Sequence, residues 1–516
     1  MEDSERQVIL DTLREFSTPG RPVYLVGGAV RDALLGRPVH DLDFVLPGKT
    51  RPLAREMACR LNGALYTLDE ERDTTRVVLE ANPPRRERIL LDFASLRAEN
   101  LEADLRDRDF TINAMALDVS APEKLIDPVG GLADLREQRI RACSPDSFSH
   151  DPIRVLRAVR QALGLNFHIE HATLRWMREA APLLPQTSAE RLRDELFRML
   201  EGSRISLAVR LLDQIGALEF VLPELKALRG VTQTAPHIDN VWEHTLAVVH
   251  NLGALLPLLS GDYHEETVTD PIVGSAVLWL GRFRRQLAEH LNRRPQHDRS
   301  LTGLLFLGAL YHDIGKPETR VLAPDGRVRF LGHPELGAKA AARRGRALAL
   351  STAEVSRLET IVAQHMRVHL LSNSLHKKND GEEKLSRRAI YRFFKDTGEA
   401  GVDICLLSLA DLRGTYGVTL PQEIWENELR TVRALLEAYW EQGEEVVAPP
   451  RYLNGSDLMQ LFNLQPGRRL GLLLEAIREA QGAGDVHDRE EAIFFARRWL
   501  QDQGVSGGIS REKGER

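Results

Sequence analysis

Cysteine is scarce: Cys59, Cys143 and Cys405 are the only three in 516 residues, and no two form a CxxC pair. That excludes a disulfide framework and a thiolate zinc site, so any metal must be held by oxygen and imidazole. No stretch approaches the ~20 unbroken apolar residues that span a bilayer. The opening MEDSERQ also lacks the basic-then-apolar order of a signal peptide. Both absences lead to the expectation of a cytoplasmic chain with no membrane partner. An excess of positive charge is missing too: the net charge is −6, whereas nucleic-acid binders cluster Lys and Arg against phosphate. Local clusters answer this in part, at Arg85, Arg86 and Arg88, at Arg154 to Arg160, and at Arg343, Arg344 and Arg346. Each taken alone also fits a solvated face. No internal repeat is visible.

What is present is the balance of a globular protein, 43% apolar and 28% charged, in a chain long enough for roughly two to four domains. Residues 1 to about 145 alternate short apolar runs with helical patterns, which predicts strands near Val23–Val26, Leu42–Val45, Arg76–Leu79, Ile89–Phe93 and Ala114–Asp118. From about Asp151 onward, apolar residues recur at the helical period and strand signals nearly vanish. The expected fold class is therefore α+β, a small mixed-sheet head followed by helices. The Gly- and charge-rich tail from Val505 reads as disordered.

The segment YLVGGAVRDALLGRPVHDLDFVL, residues 24 to 46, carries the strongest chemical signal. A strand runs into Gly27-Gly28 and a helix starts near Ala29, so the backbone can approach an anion while the helix N-terminus turns free N–H groups toward it. Asp41 and Asp43 follow. Strand side chains alternate, so both carboxylates leave the same face while Leu42 enters the core. Two such carboxylates beside an anion-binding turn repel unless a hard cation intervenes, and magnesium takes oxygen ligands of this kind. Asp92, in the strand ILLDF, is either a third carboxylate for that cation or an ordinary strand-end aspartate. In the helix Asp151 to Leu163, Ile153, Leu156, Val159 and Leu163 form a buried stripe that leaves Arg154 and Arg157 on the exposed side. Such arginines either face solvent or offer a planar fork to a base edge or a phosphate. Arg191 and Glu195, four residues apart, are explained by a helix salt pair.

Gly-Gly, then Arg31-Asp32, then a DxD strand resembles the class II nucleotidyltransferases, the bacterial poly(A) polymerases and CCA-adding enzymes. The resemblance continues through DLRDRDFTINAMALD, LIDPVGGLADL and SHDPIRVLRAVRQAL, covering roughly residues 20 to 200. It implies a template-independent enzyme that adds nucleotides from ATP and CTP to the 3′ end of transfer RNA or another RNA. Poly(A) addition is the alternative. By resemblance, Gly27, Gly28, Arg31 and Asp32 form the phosphate-binding turn. Asp41 and Asp43 hold Mg2+ and carry the catalysis, with Asp92 the candidate third carboxylate beside them. Arg108, Asp109, Asn113, Asp151, Arg154, Arg157, Arg160, Glu190 and Arg191 bind nucleotide. Asp107 stands where the family has an arginine, which puts a negative charge near the triphosphate path and leaves the role of Arg106 open.

Five His-Asp dipeptides occur, at His40, His150, His297, His312 and His487, so the pair alone signals nothing. Only His312-Asp313 ends a long apolar helix and runs into Ile-Gly-Lys-Pro, where Gly315 can close that helix. With His244 upstream and Asp411 downstream it resembles the H…HD…D set of the HD phosphohydrolases. His333 and His365 match positions that supply a second metal in binuclear members. The resemblance implies a divalent transition metal there, since mixed imidazole and carboxylate suit such ions. It also opens a second function, a metal phosphohydrolase with a disabled transferase head. The piece RYLNGSDLM…PGRRLG resembles the C-terminal unit of HD-containing members, with Gly467-Arg468-Arg469 placed to meet an RNA backbone. The implied organisation is a nucleotidyltransferase head (1–145), a helical neck (146–230), an HD domain (236–440), a helical C-terminal unit (447–505) and a tail (506–516).

Overall fold

A computed structural model describes residues 3–39, 41–71, 73–80, 88–261, 270–296, 299–376 and 385–503. Arg85, Arg86, His40, His297 and the tail from Val505 lie outside the described residues. The chain divides into two compact units, residues 1–199 with 207–221, and residues 200–206 with 222–516.

The first unit is built on a seven-stranded sheet of β1 (Tyr24–Val26), β2 (Asp41–Leu46), β3 (Ala64–Asp69), β4 (Thr74–Leu79), β5 (Ile89–Ser95), β6 (Ala116–Asp118) and β7 (Ala121–Ile126), in the order β3-β4-β5-β2-β1-β6-β7. All neighbours run antiparallel except β2 and β5, which are parallel and in a register that sets Asp43 beside Asp92 and Phe44 beside Phe93. Because the side-chain period is two, this one pairing fixes both faces. Phe44 and Phe93 stack with centroids 5.3 Å apart, and Leu42 and Leu91 are buried with them. The two aspartates take the other face.

The five expected strands are all present. The edge strands β3 and β7 were not expected, because most of their residues are exposed or half-buried on both faces and so carry no apolar alternation. Short strands also occur outside the main sheet, as a parallel pair Arg139–Ile140 with His168–Ile169 and a hairpin Arg320–Leu322 with Val328–Phe330. Both are too short to register as a period, although the hairpin turns through Asp325-Gly326, with Gly326 at φ 79°.

Gly131 shows why the LIDPVGGLADL loop is glycine-rich. A Cβ there would lie 2.1 Å from the Thr111 carbonyl oxygen, so the loop can pack on the Thr111–Asn113 turn only without a side chain. The same loop sends fully buried Asp134 to accept from Thr111 Oγ1 at 2.6 Å and from Arg139 and Arg141 Nε at 2.7 Å each.

The second unit is helical. The helices Val241–Leu259, Leu301–Tyr311, His333–Ala347, Thr352–Gln364 and Ala400–Tyr416 surround a core that buries almost the whole of LTGLLFLGALY. Gly315 does not close its helix in the left-handed region. Its φ is −82°, and a Cβ would lie 2.2 Å from the His333 carbonyl oxygen. The glycine is there for close approach of two backbones.

Inside this core Asp403, fully buried, accepts from His290 Nε2 at 2.9 Å and Arg357 Nε at 2.7 Å. Burial alone would raise its carboxyl, but Arg357 and then His290 outweigh that and hold it below the usual carboxylate range. The carboxylate therefore binds protons more weakly folded than unfolded, so its contribution is present above the unfolded pKa and is lost as pH falls through the folded one. Arg357→Ala should destabilise the fold by about 3 kcal/mol at neutral pH, since it strands a buried charge. It should also weaken the loss of stability with acid below about pH 4. Urea melts at pH 7 and pH 3 check both, and an unchanged pH slope would count against the pairing.

Candidate active site and metal centre

A cavity of about 580 Å³ opens in the first unit, lined by eight carboxylate and six arginine side chains among twenty residues. So polar a lining suits a ligand that carries charge of both signs, such as a cation-bound polyphosphate. Its acidic side comes from the sheet: Asp43 from β2 and Asp92 from β5. Asp43 is open to the cavity but crowded by protein. That desolvation first, and the charge of Asp92 second, push its carboxyl up to about 6. Asp41 adds in the same sense, while Arg108 and Arg76 oppose. Asp92 also receives both nitrogens of a fork from Arg76, at 2.7 Å each. The carboxylate repulsion that remains is what a hard divalent cation relieves, so this set fits such an ion.

The Gly27–Gly28 turn abuts these acids. Gly27 has φ 74°, and a Cβ there would come within 3.1 Å of Arg108 Nη1 and 3.4 Å of Asp43 Oδ2. The helix begins at Gly28 rather than Ala29. Arg108 Nε is buried without a hydrogen-bond partner, so a positive group with spare donor capacity stands beside the turn. Arg31 grips Asp32 through Nε at 2.9 Å and Nη2 at 2.8 Å, and donates to Asn113 Oδ1 at 2.7 Å.

The basic side comes from the helices Arg154–Leu165 and Ala189–Leu200. Arg154 and Arg157 do not point to open solvent as their spacing suggested. Arg154 donates to the carbonyls of Asp107 at 2.8 Å and Arg108 at 3.2 Å and to Ser147 Oγ at 2.8 Å. Arg157 bridges Asp109 Oδ2 and Glu195 Oε1, at 3.0 Å each. Nor do Arg191 and Glu195 pair along their helix. Arg191 reaches Asp151 at 2.7 Å, and Glu195 is taken by Arg157, Arg160 and Arg198. Of the residues singled out in the sequence, Asp43, Asp92, Arg108, Asp109, Asp151, Arg154, Arg157, Arg191 and Glu195 line the cavity. Gly27, Gly28, Arg31, Asp32, Asn113 and Arg160 are not part of its lining, nor are exposed Asp41 and Glu190. Arg106 pairs with Glu102 at 2.7 Å along its own helix, away from the cavity, while Asp107 does line it.

In the second unit all six ligands proposed from the sequence converge. His244, His312 and Asp411 form one group and Asp313, His333 and His365 another, the ligand atoms of each within 4.8 Å of one another and all six residues buried. His312, His333 and His365 set Nδ1 at 2.7, 2.8 and 2.7 Å from the carbonyls of Ala309, Phe330 and Val362. Only an N–H fits against those oxygens, so in the neutral rings Nε2 carries a lone pair. Yet Nε2 of His312 lies 3.3 Å from Nε2 of His244, and Nε2 of His333 3.3 Å from that of His365. In the His333–His365 pair both Nε2 atoms carry lone pairs that face each other, which calls for an electrophile between them, and a divalent metal fits. Burial first, then His312, pushes His365 down to about 3, which keeps it a neutral ligand.

Three further groups close this centre. Lys316 Nζ lies 2.6 Å from Asp313 Oδ2, and His369 bridges Asp411 Oδ2 at 3.0 Å and Glu428 Oε1 at 2.9 Å. His237 packs edge-on against His244 at 5.3 Å. Burial first, and then Lys316, push it down to about 4. Lys316 and His369 stand three and four residues past ligands in the sequence, a visible spacing signal. His237 gives none.

Comparison with known proteins decides the family. Residues 23–141 match the model described as "Poly A polymerase head domain", 166–228 the "Probable RNA and SrmB- binding site of polymerase A", and 278–401 the "HD domain". The A-adding tRNA nucleotidyltransferase of Deinococcus radiodurans is 33% identical over 487 residues, 93% of this chain and 95% of the relative. The chain belongs to the tRNA nucleotidyltransferase family. The CC-adding tRNA nucleotidyltransferase of Thermus thermophilus is 32% identical over 494 residues, 94% of this chain and 95% of the relative. The solved structure of a CCA-adding enzyme in an apo form shares the fold, with TM-score 0.59 and 20% identity over 99% of this chain and 97% of that one. The expected α+β architecture is thus that of the family: a mixed-sheet nucleotidyltransferase head followed by a helical remainder carrying an HD domain. Both domain families generally use divalent metals, and the two buried His/Asp groups of the second unit could hold such ions. No helix among the described residues is long and apolar enough to cross a membrane.

Proposed function

We propose that this tRNA nucleotidyltransferase adds nucleotides from ATP and CTP to the 3′ end of cytoplasmic transfer RNA, supplying all or part of CCA. One observation carries the reading: the register of β2 and β5 sets Asp43 beside Asp92 at the edge of a cavity whose other wall is arginine. Asp41, Asp43 and Asp92 hold Mg2+, which when bound lowers the pKa of the attacking hydroxyl and offsets charge on the leaving pyrophosphate. Arg108, which lines the cavity with Nη1 beside Gly27, takes the triphosphate, and Arg31 with Asp32 and Asn113 braces the turn. Asp151, Arg154, Arg157 and Arg191 present donors and acceptors to the base, so side chains select the nucleotide where a template strand would. This assigns residues 1–145 to a head and 146–230 to a neck, with 236–440 and 447–505 following as HD and C-terminal units.

The two relatives above are an A-adding and a CC-adding enzyme, which favours partial over complete CCA addition here. Purified protein incubated with transfer RNAs ending before CC, before A and complete, with each labelled NTP separately, tests this. Extension of one truncated substrate by its matching nucleotide is expected. Repeated AMP addition to all three would move the assignment to poly(A) synthesis. The HD centre supports a second, separate activity, metal-dependent hydrolysis of a phosphate ester. The intact Asp41, Asp43, Gly27 and Gly28 argue against a chain in which only that half works.

A further inference from the structure

Glu195 is buried, 4% exposed, at the end of an unbroken polar chain. Its Oε1 accepts from Arg157 Nη1 at 3.0 Å and Arg198 Nη1 at 2.9 Å, and its Oε2 from Arg160 Nε at 2.7 Å. Arg157 then passes its Nε to Asp109 Oδ2 at 3.0 Å. The other oxygen of Asp109 accepts from Asn113 Nδ2 at 2.9 Å and from its neighbour's backbone, Phe110 N, at 2.8 Å. Asn113 Oδ1 in turn accepts from Arg31 Nη1 at 2.7 Å, and Gln161 Oε1 accepts from Asn113 Nδ2 at 3.0 Å and Arg31 Nη1 at 3.3 Å. Each acceptor along this line is used. Arg157 has two of its three nitrogens held by carboxylates, which leaves Nη2 as the one the cavity can use.

We propose that Glu195 is a positioning residue for nucleotide binding: it fixes Arg157 at the cavity wall and, through Asp109 and Asn113, ties that wall to the Arg31 brace behind the Gly27–Gly28 turn. The proposal rests on the nucleotidyl-transfer reading and assigns a role that the salt pair expected along the helix did not suggest. A guanidinium held at two points offers its third nitrogen in one direction, whereas one held only by Asp109 swings about that bond. Three arginines facing one another without Glu195 would also repel, so Arg157 would leave its place. Oriented side chains matter here because the pocket has no template to correct a misplaced base, and small displacements of a binding group cost on the order of 10-fold to 10²-fold in rate.

Glu195→Gln keeps the volume but turns an amide N–H₂ toward a guanidinium donor, and Glu195→Ala removes the anchor entirely. Each is compared with wild type in three measurements: equilibrium ATP and CTP binding without RNA, steady-state KM for NTP and for transfer RNA, and the melting temperature. The expected result is an NTP KM raised about 10-fold or more in Glu195→Ala and by less in Glu195→Gln. The KM for transfer RNA should stay within about twofold, and NTP binding should weaken in parallel with the NTP KM. An NTP KM unchanged in folded Glu195→Gln and Glu195→Ala overturns the proposal. So does a lowered melting temperature with unchanged NTP KM, or failure of both variants to fold, since each marks a purely structural residue. If wild type itself neither binds nor transfers nucleotide, it is the nucleotidyl-transfer reading that fails.

Discussion

Asp43→Ala is expected to reduce nucleotide addition by ~10³-fold or more, the equivalent of about 4 kcal/mol in the barrier, while the protein stays folded. The size follows from what the carboxylate does: it is one of few oxygen donors for a cation that must stabilise charge as the bond to phosphorus forms. Folding should survive because Asp43 faces the cavity and its neighbours Leu42 and Phe44 carry the core packing. The fold in fact works against this carboxylate, whose pKa is raised to about 6 by desolvation and by Asp92. A carboxyl that binds protons more tightly folded than unfolded weakens the folded state once pH exceeds its unfolded pKa. Without divalent metal at neutral pH, the variant should therefore melt no lower than wild type. Labelled-nucleotide incorporation and thermal melting on the same preparation check both halves. More than a tenth of wild-type transfer would remove Asp43 from the metal site.

The acidic half of that site was legible because strand alternation is rigid. Asp41-Leu42-Asp43 can put its carboxylates on one face only, and the register of β2 with β5 then brings Asp92 beside them. The arginine half was legible as residues but not as geometry. Helical spacing places Arg154 and Arg157 on one side of their helix, yet what fills that side comes from Asp109 and Glu195, 48 and 38 residues away in sequence. No local pattern encodes such a pairing. For the same reason Arg191 and Glu195 looked sufficient to each other at four residues' separation, whereas each has a partner from another segment. The edge strands β3 and β7 escaped because they bury too little for alternation to show.

Replacing both His312 and Asp313 with alanine should strip the HD centre of its metal and leave nucleotide addition nearly intact. The six ligands fall into two groups that share the His312-Asp313 pair, one residue to each, so the double variant damages both at once. Losing even an outer-sphere partner of a metal ligand costs roughly 10- to 100-fold in affinity, and losing two direct ligands should cost more. Imidazole with carboxylate favours a transition metal, whereas Asp41, Asp43 and Asp92 offer only oxygen, so the two centres should differ in what they retain. The two ligand sets also belong to different units of the chain. Elemental analysis after metal-replete expression should find roughly one or two tightly held transition-metal ions per wild-type chain and few in the variant. Magnesium-supported transfer should persist in both, with the melting temperature lowered in the variant because bound metal stabilises only the folded state. If wild type holds no such metal, Lys316 on Asp313 and His369 on Asp411 are the ion pairs of a structural core, and the hydrolase reading falls while the transferase stands.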